Sequence, residues 1–335
     1  MRECMLYAFT VCICFTVCCL TYYQYRGAML QKTDDVMEGG QYVRSEDFHN
    51  QPVVSNSHPG DKQQTSTKLQ KTDNKPPPTL LDIASSVRSP VVLTAINQAF
   101  IDITINFILS IRRLNLTPTI VIVCEDRKSY DVLSQWENIT TVMTHLQLSN
   151  SDAENWRSKA YNQLVDKRVP YIIELLKNGK DVFFMDTDIV WLADPFPYVS
   201  GNLDIAVIHD YPENKENKII YCAGYAFFRN TAASRFVVYQ WQRQLVSPQR
   251  KEGSEQQGKF NKALKKGKGR SGKQKLKLKV LPRNLFQAGF EFFNSSTPLE
   301  DRPIRPVMIH NNWIVGLQPK LERYKKYGLW YLETD

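Results

Sequence analysis

The chain has 335 residues, 42% of them apolar and 23% charged, which is ordinary for a globular protein and excludes a fibrous or wholly disordered one. Its formal charge of +9 does not mark a basic domain, because Lys251–Lys279 alone carries eleven Lys or Arg against two acids, a surplus that equals the whole excess. Nucleic acid is therefore not an expected partner: the charge is local, and Phe260 is the only aromatic residue interleaved with it.

Residues 1–4 form a short head, and Met5–Tyr23 is uncharged throughout. As a helix at about 1.5 Å per residue this stretch spans about 28 Å, close to the hydrocarbon core of a bilayer. Cleaved signal peptides have shorter apolar cores and a small-x-small cleavage site, whereas this segment ends in Tyr22-Tyr23, as an interfacial belt does. We expect an uncleaved signal anchor, a cytoplasmic head and a lumenal remainder. Cys4, Cys12, Cys14, Cys18 and Cys19 lie in or beside the anchor, which leaves Cys124 and Cys222 for the soluble part, as a pair or as two buried thiols. Residues 24–88 are polar, lack apolar periodicity and approach their end at Pro76-Pro77-Pro78, so they read as a stem without a packed core. Head, membrane helix, stem and globular domain in this order point to a single-pass type II protein of the Golgi membrane. Sequons at Asn115, Asn138 and Asn294 suit that lumenal address.

From residue 89 the pattern is α/β. "VVLTAI" (91–96) and "TIVIVC" (119–124) are continuous apolar runs of strand length, and Phe100–Leu114 carries apolar residues at helical spacing. A short helix is expected over Lys128–Trp136, then "TTVMTHL", then a long helix over Ser158–Lys177 that stops at Asn178-Gly179. Alternating strands and helices imply a mostly parallel, twisted sheet covered by helices on both faces. The glycines and mutually repelling lysines of Gly253–Lys279 predict a mobile basic loop, with Lys265–Lys275 dispensable for folding.

The chemistry concentrates in "VFFMDTDIVWLADP" (182–195). Asp186 and Asp188 close a buried strand, at the sheet edge where open α/β sheets bind ligands. Residues i and i+2 of an extended chain point to one side, so both carboxylates face one point. Two like charges in an apolar frame resist ionisation unless a cation sits between them, and hard oxygens suit Mn²⁺ or Mg²⁺. His310 follows the apolar "VMI" at another strand end and is the expected third ligand. One chemistry for such a motif is aspartyl-phosphate hydrolysis, which needs a later acidic pair, yet after Asp210 the only aspartates are Asp301 and Asp335. The other is sugar transfer from a nucleotide-sugar, with the metal on the diphosphate.

"LLKNGKDVFFMDTDIVWLADPFPYV", "GYAFFRNT" (224–231), "QQGKFNKAL" (256–264) and "VMIHNNWIVGLQPKLERYKKYGLW" (307–330) together resemble the nucleotide-diphospho-sugar transferase domain of glycosyltransferase family 77. The resemblance runs from about Pro90 to the C-terminus. It implies a GT-A-like fold, a divalent metal, retention of anomeric configuration, a donor such as a uridine diphosphate sugar and a glycan, glycoprotein or glycolipid acceptor. It places Asp186, Asp188 and Lys320 at the leaving diphosphate, with Asn97, Arg168 and Gly316 also on the donor side. Gln257, Asn261, Trp191 and Trp313 fall on the acceptor side, Gln257 orienting donor or acceptor. Two positions depart from the family pattern: Gln256-Gln257 stands where Asp-Gln is usual, and Cys222-Ala223-Gly224 where Asn-x-Gly is usual. A second reading, a lumenal pseudoenzyme that binds a nucleotide-sugar without turning it over, stays open on those departures.

Overall fold

The computed structural model describes residues 76–145, 164–210, 220–247, 256–272, 275–295 and 297–332. The expected head, anchor and most of the stem lie outside these residues, and no helix among the described residues is long and apolar enough to cross a membrane.

In chain order the elements are α1 (Leu80–Ile83), β1 (Val91–Ile96), α2 (Ile101–Arg112), β2 (Thr119–Cys124), α3 (Arg127–Leu133), β3 (Thr140–Met143), α4 (Arg168–Lys177), β4 (Val182–Met185) and β5 (Ile189–Trp191). They continue as β6 (Ile205–His209), β7 (Tyr221–Phe228), α5 (Ala232–Leu245), α6 (Gln256–Lys268), β8 (Leu278–Val280), β9 (Phe286–Ala288), α7 (Gly289–Phe292), β10 (Met308–His310) and α8 (Leu317–Lys326). Strands β1 and β2 coincide with the two apolar runs read from the sequence. The folded part begins earlier than the expected boundary at 89. Met143 N donates to Pro78 O at 2.8 Å, and Leu80 and Ala84 are fully buried in the core. Thr79 and Asp82 form a capping box that starts α1, a local signal hidden beside the prolines.

The main sheet has strand order β3-β2-β1-β4-β7-β6-β8. Only β7 runs against its neighbours: β4 and β6 pair with it antiparallel, and the other pairs are parallel. This is the expected GT-A-like, mostly parallel sheet. Both faces are buried, and the pleat shows it residue by residue. Val91, Val121, Val182, Phe184, Ile205 and Val207 pack on one face with α4, α5 and α6. Val92, Ile120, Ile122, Phe183, Met185 and Ala206 pack on the other with α2. Along β7 this parity slips. Tyr221 and Ala223 share a face with Ala226 and Phe228, while Cys222 shares the opposite one with Tyr225 and Phe227. The slip falls at Gly224, where the β6–β7 register is also irregular, as expected where a glycine lets a strand re-aim its side chains.

A small second sheet, β5-β10-β9, stands beside the first. Antiparallel pairing sets His310 opposite Ile189, so the residue after Asp188 and the last residue of β10 are cross-strand neighbours.

Among the described residues of the basic segment, a helix takes the place of the expected loop. Gln256–Lys268 is a helix whose Phe260, Ala263, Leu264 and Gly267 are buried in the core formed with α5. A Cβ on Gly267 would come within 2.7 Å of the Val237 side chain, so close packing selects that glycine rather than flexibility. The apolar residues recur at i, i+3, i+4 and i+7, a helical stripe that the surrounding lysines obscure. Beyond α6, Leu276 is buried and Leu278–Val280 is the edge strand of the main sheet, so Lys265–Lys268 belongs to a packed helix and the stretch expected to be dispensable begins inside the fold.

Candidate functional site

Sheet geometry assembles the site at the carboxyl ends of β4 and β6. Asp186 N donates to Gly224 O at 2.8 Å, which holds the end of β4 on β7. Asp188 lies past a tight turn, and its carbonyl accepts from Asn311 N at 2.7 Å, which locks that turn to the end of β10. His310 Nε2 stands 3.2 Å from Asp188 Oδ1 and 3.8 Å from Asp186 Oδ2. One ligating atom from each of the three residues lies within 4.8 Å of the other two. The convergence expected of Asp186, Asp188 and His310 is therefore present.

Two further cations reach the same carboxylates from helix starts. Arg168, the first residue of α4, pairs with Asp186 Oδ1 at 3.1 Å, its guanidinium lying over the Phe184 ring. Lys320, in the first turn of α8, approaches Asp188 Oδ2 at 2.5 Å and donates to Asn311 O at 2.7 Å. Gly316 precedes α8 with φ +93°, a conformation that favours glycine and aims the helix start at the site. Burial pushes the Asp188 carboxyl upward, but the Lys320 and His310 charges outweigh it and hold the group well below the usual carboxylate range. Burial likewise disfavours a charged His310, yet the Asp188 carboxylate raises it well above its ordinary value. Two carboxylates and one imidazole that converge at one point form a donor set suited to a hard divalent cation.

Gly224 is a site residue that sequence reasoning treated only as part of a departure. A Cβ there would stand 2.0 Å from Asp186 Oδ2 and 3.1 Å from His310 Cε1, so the backbone of β7 forms the floor under the carboxylate. A glycine inside the apolar strand "YCAGYAFF" was the available signal. On the same β7 segment Cys222 Sγ lies 3.5 Å from His310 Nδ1, the ring nitrogen other than the one that meets the aspartates. Cys124 and Cys222 are both free and buried.

Asp210 was missed altogether. It follows β6, which ends at the same sheet edge as β4, and its carboxylate is bracketed by site residues. Gln257 Nε2 donates to Oδ2 at 2.6 Å, and Asn312 Nδ2 donates to Oδ1 at 2.8 Å. Trp313 Nε1 donates to its carbonyl at 2.9 Å. Burial raises the Asp210 carboxyl, with the Gln257 hydrogen bond opposing. The signal was its place at the end of "DIAVIH", the position type that made Asp186 conspicuous.

The other expected site residues separate into two groups. Gln257 also accepts from Ala223 N at 3.0 Å, so it bridges α6, β7 and Asp210. Trp313 is 45% exposed, edge-on to Phe290. Asn97 is buried at the carboxyl end of β1. Trp191 and Asn261 are corrections. The Trp191 indole is buried between Phe107 and Phe196, with Nε1 on Met185 Sδ, which leaves no face for an acceptor. Asn261 donates to Tyr221 O and Gln257 O and accepts from Tyr221 N, so its amide is spent clamping β7 to α6.

A model described as nucleotide-diphospho-sugar transferase matches residues 115–324, well over half of the chain and a span that holds Arg168, Asp186, Asp188, His310 and Lys320. The chain belongs to the nucleotide-diphospho-sugar transferase family. Among curated relatives, UDP-D-xylose:L-fucose alpha-1,3-D-xylosyltransferase 3 of Arabidopsis thaliana is 26% identical over 262 residues, covering 72% of this chain and 67% of its own length. UDP-galactose:fucoside alpha-3-galactosyltransferase of Dictyostelium discoideum is 26% identical over 280 residues, covering 71% of this chain and 42% of its own length. Among solved structures, the galactosyltransferase LgtC with donor and acceptor sugar analogs aligns with a TM-score of 0.47 at 11% identity, over 71% of this chain and 96% of that one. The transferase is thus a glycosyltransferase that draws on a nucleotide-sugar, and aspartyl-phosphate hydrolysis has no support.

Proposed function

We propose that this transferase moves a glycosyl group from a uridine diphosphate sugar to a hydroxyl of a glycan, glycoprotein or glycolipid, with retention, in the Golgi lumen. The observation that carries the reading is the meeting of Asp186, Asp188 and His310 at one point flanked by Arg168 and Lys320. Relatives named for UDP-xylose and UDP-galactose support the donor class. The three sequon asparagines are exposed, which agrees with a lumenal domain.

Asp186, Asp188 and His310 would hold Mn²⁺ or Mg²⁺, which supplies charge stabilisation to the departing diphosphate. Arg168 and Lys320 add fixed positive charge on either side of the carboxylates, where phosphate oxygens gain it most in a partly buried site. In the reaction the bond from the anomeric carbon to the diphosphate oxygen breaks, and its electron pair leaves with the phosphate. The acceptor oxygen bonds to the anomeric carbon on the same face, and the acceptor proton passes to the departing phosphate. Asp210, held by Gln257 and Asn312, presents a fixed carboxylate toward positive charge developing on the sugar. Trp313 offers an exposed aromatic face to the acceptor.

The test is release of uridine diphosphate by the purified full-length chain in detergent, across a panel of uridine diphosphate sugars, with Mn²⁺ and with excess chelator. Release that needs the metal, and a product anomer matching the donor, are the expected results. Binding of donor without release under every condition is the outcome the pseudoenzyme reading requires.

A further inference from the structure

Away from the reacting groups the structure holds a buried ionic cluster that the mechanism leaves unused. Glu125, directly after β2, has a fully buried side chain. It accepts from Lys167 Nζ at 2.8 Å and from Tyr171 OH at 2.8 Å, and Thr144 Oγ1 meets that phenol at 2.6 Å. Two residues before Lys167, Val165 O accepts from Gln256 Nε2 at 2.6 Å. Gln256 is itself buried, and its carbonyl receives Trp241 Nε1.

The grip falls on one short segment, the entry to α4. Lys167 immediately precedes that helix, and Arg168 opens it. Residues 164–166 are helical and Lys167 keeps helical dihedrals, so the chain is helical on both sides of this junction, and each of the two adjacent cations is met by an acid. Lys167 finds Glu125 and Arg168 finds Asp186. The first pair is closed off from solvent and the second faces the site. With residue 165 tied by Gln256 and residue 167 by Glu125, the backbone of Arg168 has little freedom left.

We infer that Glu125 and Gln256 are positioning residues that act through Arg168, setting its guanidinium on the Asp186 side of the donor pocket. This rests on the donor reading above and explains the amide at 256. An acid there would set a carboxylate oxygen against the Val165 carbonyl and lose the bond. Neither residue touches the metal ligands, so their effect falls on donor binding rather than on the chemical step.

The test is a pair of double-mutant cycles on the full chain. Glu125→Gln and Gln256→Leu are each combined with Arg168→Ala, and affinity for uridine diphosphate with Mn²⁺, KM for the donor and kcat are measured. Each single change is expected to weaken nucleotide binding and raise donor KM by about tenfold, with kcat kept within about threefold, the size of one lost charge-assisted contact. In the Arg168→Ala background neither change should cost anything further. Losses that multiply independently of Arg168, or that fall on kcat alone, overturn the inference. If Glu125→Gln does not fold, Glu125→Gln with Lys167→Met removes the buried charges together, a replacement that buried ion pairs tolerate. Nucleotide affinity at the wild-type level in that variant also overturns the inference. A wild-type chain that binds no uridine diphosphate overturns the donor reading itself, whereas wild-type binding with additive losses overturns this inference alone.

Discussion

Two clusters of acids and bases stand at the carboxyl ends of strands in the main sheet, and they are built alike. After β4, Asp186 and Asp188 meet Arg168, His310 and Lys320; after β2, Glu125 meets Lys167 and Tyr171. Both draw on the Lys167-Arg168 junction at α4, and the first adds Lys320 from the first turn of α8 and His310 from the end of β10. They differ in what decides the state of the carboxylate. Lys320 and His310 hold Asp188 low against burial, whereas burial dominates at Glu125 and pushes its carboxyl upward despite Lys167. They differ also in access, because the Asp186 side chain is 28% exposed and that of Glu125 fully buried. An open cluster in which two carboxylates and an imidazole converge on one point is built as a binding site; a closed pair of one acid and one base is a structural joint. Strand-end position alone does not tell the two apart.

The largest expected effect breaks the open cluster. Asp188→Ala should lower turnover by about 10²-fold or more, the scale of losing a strong electrostatic stabiliser, and should weaken donor binding in parallel. Unfolding curves should show the variant folded, and activity kept in such a folded variant would sink the metal reading. Gly224→Ala comes next. Its methyl group falls on Asp186 Oδ2, so the carboxylate has to move, and about a tenfold to hundredfold loss is expected where a contact set within about 0.5 Å is displaced. Wild-type activity in this variant would show that Asp186 tolerates another position. His310→Ala should cost about tenfold at low Mn²⁺, with partial recovery as Mn²⁺ rises, because one of three ligands weakens a site without emptying it. A loss that no Mn²⁺ concentration moves would assign the imidazole another task.

The closed cluster should respond in stability. Lys167→Ala leaves Glu125 buried without its counter-charge and should cost about 3–5 kcal/mol by denaturant unfolding. A fall within the error of the measurement would mean that Glu125 is not a buried charge once Lys167 is gone, through uptake of a proton or of water, and the contrast between the clusters would collapse. The same measurement separates the two faces of α6. Phe260→Ala should cost about 3–5 kcal/mol and Lys265→Gln less than about 0.5 kcal/mol, with the active site unaffected by the second.

Much was legible from local pattern. The strands at 91–96 and 119–124, the helix after β1 and the D-x-D at a strand end all follow from periodicity and from where α/β sheets bind ligands. His310 was legible because "VMI" reads as a strand that ends on a histidine. The failures share one cause. Trp191 and Asn261 sit in motifs beside reacting groups, and only burial and hydrogen-bond partners show that one is core and the other a clamp. Within 256–268, lysine density masked a stripe of Phe260, Ala263, Leu264 and Gly267 whose meaning appears only when α5 is laid against it.

By itself the sequence determined the alternation of strands and helices, the place of the two aspartates at a sheet edge and membership of a transferase family, because each rests on residues near one another in the chain. Only the tertiary structure decided that Gly224 lies under Asp186, that Asp210 joins Gln257 and Asn312, and that Glu125 and Gln256 grip the start of α4. Those contacts join residues from 38 to 102 positions apart. They arise where strand order, helix entry and the slip in β7 bring segments together, and no local period records such meetings.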